Sequence, residues 1–332
     1  MIPARRLAVT ASIVAVVPLV AVAVLAGAGE LAPAEVADPG PVIRWGLPVV
    51  RGLRDAAAAA TIGLLVLSTL VLPRDDTDAD RLSPIQQTAA RSAAAGGAAW
   101  MTSSVAVIVL TFAQLAGIGA LDAALSPRLG TFLLEDQQGR LLVGSTVLIA
   151  AATGAAWSLT REVPLILTSV VAVAALLPVA LTGHTAAAVN HDAAVNLQFT
   201  HVAAMCIWVG GLGALALLRR ALAEHFPAAA RRFSTLAGVC YVLVAVSGVA
   251  GALVRADGLP DVTSTYGTLL VVKTALLLVL GVAGWVHRTS TLTALDTSAE
   301  SGHPFARLAT GELTVMAVAM GLGIALSSTS PM

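Results

Sequence analysis

Long apolar runs separated by short polar links set the pattern of this chain. Nine runs approach the length of about 20 residues that crosses a bilayer as a helix. They fall at 8–28, 52–72, 94–118, 141–159, 163–182, 194–218, 235–254, 267–286 and 309–327. Apolar positions run on continuously and do not alternate with polar ones, which predicts helices and excludes a β-barrel. The predicted fold is therefore all-α: a polytopic transmembrane helical bundle of about nine spans, or eight if the first is a cleaved signal. Arg5 and Arg6 precede the first run and small residues follow it, as in a signal peptide. That run is longer than a signal core of about 7–15 residues, so we read it as a retained helix. Three regions are expected. Residues 1–92 form a two-helix region ending in an acidic cytoplasmic link at 73–91, which holds Asp75, Asp76, Asp78 and Asp80. Residues 93–182 form three middle spans, and 183–332 form a C-terminal membrane domain.

Composition sharpens the class. Of 332 residues, 57% are hydrophobic and 11% charged, with mean hydropathy +0.87. A soluble domain carries about 25% charged residues, so soluble enzymes, disordered proteins and secreted disulfide scaffolds are excluded. The 19 basic and 19 acidic residues balance, and no basic run points to nucleic acid. Eighteen of the basic residues are arginines, among many alanines and glycines, as GC-rich bacterial coding produces. With the N-terminus inside, twelve arginines fall in inner segments and six in outer ones, the densest cluster being Arg219 to Arg232. The positive-inside rule then favours a multi-pass protein of the bacterial cytoplasmic membrane with its C-terminus outside. Cys206 and Cys240 lie in apolar runs outside any CxxC motif and are expected as free thiols.

Candidate chemistry concentrates around the sixth run. His184 and His191 lie in or beside the outer loop that precedes it, and His201 lies within it. An ionisable residue inside a span is a functional hypothesis by default. His201, Met205 and Trp208 follow the i, i+4, i+7 spacing of one helix face. An imidazole and a thioether on one face suit Cu(I), which accepts soft sulfur and nitrogen ligands. Met205 also reads as core packing, Trp208 as an interior residue, and Gly210, Gly211 and Gly213 as close-packing positions. Lys273 lies about six residues into the eighth run, where it must snorkel, find a partner or line a pathway. Glu312, Met316 and Met320 form a stripe on the last run that reads either as pathway or as packing. Walker A, HExxH, CxxCH and GxSxG motifs are absent, so no enzyme and no ATP-driven pump is expected.

The run from His201 through Met205, Cys206 and Trp208 to Gly210, Gly211 and Leu212 resembles the histidine-to-WxGGL segment of the CopD/PcoD copper-resistance membrane proteins. Further matching stretches follow in order: Arg232-Phe233-Ser234, then Thr265-Tyr266-Gly267 with Leu269, Leu270 and Lys273, then Glu312 on a last helix ending at Ser330-Pro331. Gly183-His184 fits ahead of them, so the resemblance spans about residues 180–331. It implies copper transport, usually inward, across the bacterial cytoplasmic membrane alongside an extracytoplasmic CopC-like copper carrier. It marks His201 as the leading functional residue and raises Lys273 and Glu312. On this reading His184 and His191 receive copper, His201 and Met205 bind it, and Glu312, Met316 and Met320 line the inner exit. Ligation needs neutral imidazole, whose ordinary pKa is about 6.5, so binding is expected to weaken in acid. Two alternatives stay open: a haem-binding or electron-transfer protein, with His184 as the second axial ligand to His201, and a non-transporting assembly subunit for cytochrome oxidase maturation.

Overall fold

Capping chemistry written in the sequence sets where the helices begin. The computed structural model describes residues 40–75, 78, 80–182, 191–256, 258, 260–286, 288–289 and 302–329. Helix α1 (Pro41–Leu70) starts after Gly40, whose φ of 88° suits glycine, with Pro41 at the first position where no N–H partner is needed. Helix α2 (Pro84–Ala116) starts in a capping box. The Ser83 N–H donates to Gln86 Oε1 at 2.9 Å, and the Gln86 N–H donates back to Ser83 Oγ. Gly117, at φ 65°, closes it in the left-handed conformation.

Two short helices follow, α3 (Ala120–Leu125) and α4 (Arg128–Leu134), then α5 (Gln137–Trp157), capped by Asp136. Helices α6 (Glu162–Ala174) and α7 (Leu177–Ala180) form one span. Pro178 interrupts it by crowding the carbonyl four residues back, at Ala174. Helices α8 (His191–Leu222) and α9 (Phe226–Arg255) are joined by the 3-10 turn Ala223–His225. Helices α10 (Thr265–Val286) and α11 (Gly302–Ser328) complete the bundle.

Among the described residues, seven stretches are long and apolar enough to cross a membrane, and one of these, Asp192–Arg255, holds all of α8 but its first residue together with α9. Eight of the nine predicted runs fall on helices. The first, 8–28, lies outside the described residues.

Several boundaries differ from expectation. Helix α1 begins at Pro41, so Arg44, Arg51 and Arg54, expected in an outer link, sit on the helix. Arg54 makes this tolerable by donating twice to its neighbour Asp55, at 3.0 and 2.8 Å. Helix α2 starts at Pro84, which shortens the acidic link and puts Arg91 on a helix. Helix α9 starts at Phe226, so Arg231 and Arg232 are helical rather than looped.

Helix α1 runs through the middle and packs on α2, α6, α8 and α11. It meets α8 backbone to backbone. A Cβ on Gly63 would lie 2.1 Å from the Gly210 carbonyl carbon, and one on Gly210 would lie 1.7 Å from Ala59 O. A Cβ on Gly211 would meet the Phe233 ring at 2.6 Å. Gly213 departs from its expected role, because nothing lies within 4 Å of its Cβ position.

One end of the bundle is tied by contacts between distant links. The Leu82 N–H donates to Thr160 O and the Glu162 N–H to Asp80 O, both at 3.0 Å, and Arg161 pairs with Asp80 at 3.0 Å. Buried Gln86 donates to Glu162 Oε1 at 2.7 Å and to Ser68 O at 3.0 Å. The Phe226 and Phe305 rings meet edge to face at 4.9 Å. At the other end Arg255 lies 5.5 Å from the centre of the Tyr266 ring and donates to Thr329 O at 3.0 Å. In the nearby link, the Thr263 N–H and hydroxyl both donate to Asp261, holding its carboxyl below the usual range.

Candidate metal-binding site

Helix α8 carries the site. Asp192 in its first turn and Arg219 and Arg220 in its last match the helix dipole. Because α8 and α9 form a hairpin about the turn near residue 224, residues equally distant from it face each other. His201 and Ser247 are such a pair. His201 Nδ1 lies 3.1 Å from Val244 O and 3.2 Å from Ser247 Oγ. A carbonyl oxygen only accepts, so Nδ1 carries the proton and donates. The Ser247 hydroxyl donates to Leu243 O and so offers Nδ1 its lone pairs.

Nε2 has no hydrogen-bond partner among the described residues, and in the neutral ring it carries the free lone pair. Metal-binding histidines are held in this way, with the second ring nitrogen donating to a carbonyl. The ring also needs Gly248 beneath it, since a Cβ there would lie 3.2 Å from His201 Cε1.

Met205 is half-buried one turn further and packs on the main core. Trp208 is buried, edge to face with Tyr241 at 5.6 Å. Tyr241 in turn lies against Gly281 of α10, where a Cβ would come 2.5 Å from its hydroxyl. His201 and Trp208 both turn to α9, while Met205 packs on the main core. His191 opens α8, about 15 Å along the axis from His201 at 1.5 Å per residue, too far for the two to share one ion. Its side chain and the whole of His184 lie outside what is described.

Lys273 is half-buried on α10, with Nζ 3.2 Å from where a Cβ on Gly323 of α11 would sit. No hydrogen bond or ion pair joins it to another described residue. On α11, Met316 is buried in the main core, and Met320 lies in the cluster of Ala317, Ile324 and Ala56. Glu312 is half-buried at the start of that stripe. No group of three or more His, Cys, Asp or Glu that could hold a metal occurs among the described residues. Cys206 and Cys240 are buried free thiols, as expected.

Sequence reasoning missed Val244, Ser247, Gly248 and the Arg54–Asp55 pair. The first three carry no motif, and only the hairpin brings them to His201. Asp55 was hidden by placing the helix start too late. It lies on α1, the helix that packs on α8 and so on the sixth run.

Long apolar helices around a buried core, with a histidine oriented inside the bundle, define a multi-pass membrane protein. Two family models account for most of this chain: "Copper resistance protein D-like, N-terminal domain" matches residues 42–192, and "Copper resistance protein D" matches 227–326. The chain belongs to the CopD copper-resistance family. No curated protein and no solved structure matches it.

Proposed function

We propose that this protein carries copper across the bacterial cytoplasmic membrane, inward, with Cu(I) as the favoured species. The observation that carries the reading is His201: an imidazole inside a span, its Nδ1 committed to Val244 O and its Nε2 without a hydrogen-bond partner among the described residues. Met205, one turn along, supplies the soft sulfur that Cu(I) prefers. His184 and His191 form the outer entry, where a CopC-like carrier delivers the ion. Met320, Met316 and Glu312 continue the path toward the arginine-rich end, which faces the cytoplasm by the positive-inside rule. Membership in a copper-resistance family supports the choice of cargo.

Cu(I) titration of the purified protein against a competing chelator tests the site. Wild type binds copper in a nitrogen-and-sulfur environment read by X-ray absorption, and His201→Ala loses that signal. Equal binding by both proteins removes His201 from the site, and a Soret band in the purified protein favours the haem alternative.

A further inference from the structure

The arginine-rich end holds a cavity of about 500 Å3 that the copper path does not use. Its walls include Thr69, Leu70, Pro73 and Arg74, where α1 ends, and His225 and Arg232, where α9 begins. We infer that this cavity binds the phosphate of an anionic phospholipid headgroup.

Charge points to an anion. Two guanidinium groups and an imidazole face one cavity, and both arginines are largely uncommitted. Arg232 spends only Nη1, on a long 3.4 Å bond to Val71 O. Arg74 has a side chain 63% exposed and approaches Glu162 no closer than 3.8 Å. Glu162, the carboxylate that Arg74 approaches, is buried and turned toward Gln86. No side chain caps the start of α9, where Ala228 and Ala229 join the lining, so the positive end of that helix adds to the field. Arginine forks match phosphate oxygens in pairs.

The setting points to lipid over free phosphate. The cavity sits at the ends of two membrane helices, and its wall includes Leu70, which is 59% exposed. Acyl chains can lie along that apolar rim while the headgroup reaches the arginines. Basic pockets between spans at the cytoplasmic face recognise anionic headgroups in this manner. Thr69 to Arg74 fall in one family segment, 42–192, and Ala228, Ala229 and Arg232 in the other, 227–326, so a bound lipid joins them.

Native mass spectrometry of the full chain in detergent, after exchange into phosphatidylglycerol or phosphatidylcholine, tests the site. Wild type retains phosphatidylglycerol and not phosphatidylcholine. Arg74→Ala/Arg232→Ala lowers retention about tenfold or more, while Arg91→Ala, on an exposed face of α2, leaves it unchanged. Should the alanine pair not fold, Arg74→Lys/Arg232→Lys keeps the charge but loses the forks, and retention falls by a smaller factor. Equal retention of the two lipids by wild type overturns the site, as does undiminished retention by a folded alanine variant. Thermal stabilisation by inorganic phosphate, with none from phosphatidylglycerol, overturns the lipid assignment.

Discussion

At His201 one carbonyl oxygen decides which ring nitrogen is free. With Val244 O holding Nδ1–H, the remaining contact from Ser247 refines orientation without creating it. Ser247→Ala should therefore weaken Cu(I) binding by about tenfold without abolishing it, the lower end of what outer contacts to a metal ligand contribute. Gly248→Ala should weaken binding severalfold by pushing on the ring, whereas Gly251→Ala, with open space at its Cβ, should change nothing. Chelator competition reads both. Met205→Leu separates ligand from packing: the volume is kept, so stability should change by less than about 1.5 kcal/mol, while Cu(I) affinity drops if the sulfur binds.

At the scale of elements, the bundle depends on two kinds of contact. The α1–α8 crossing is a backbone contact, so Gly210→Ala should cost about 1–3 kcal/mol in detergent unfolding, and Gly213→Ala should cost nothing measurable. The Gln86 hub joins α1, α2 and α6 through Ser68 O, the Ser83 N–H and Glu162. Gln86→Leu leaves buried partners unmet and should cost about 1–3 kcal/mol. The helices themselves were legible in the hydropathy runs, because spans must satisfy their backbone internally and so declare themselves by length. Their ends were not. Pro41, Ser83-Pro84 and Phe226-Pro227 start helices through caps and proline positions, while hydropathy alone waits for the charges to stop. Asp55 was lost for that reason.

At the scale of the molecule, packing gathers the links into two distinct ends. The links at 71–83, 158–161 and 223–225 come together at one end, and Arg255 with Tyr266 and Thr329 marks the other. His201, Lys273 and Gly323 belong to the half near Arg255, from three different helices. The face of His201 and Trp208 was legible as a helical spacing. What it faces was not, since Ser247 lies 46 residues on and meets His201 only when the hairpin closes. Family motifs named the histidine, and the fold supplied the carbonyl that gives it a free nitrogen.

Whether copper enters through His201 is read from the copper content of cells expressing wild type or His201→Ala at matched membrane levels. Wild type should raise cellular copper, and the variant should stay at the level of cells lacking the protein. Equal copper in all three contradicts inward transport through His201.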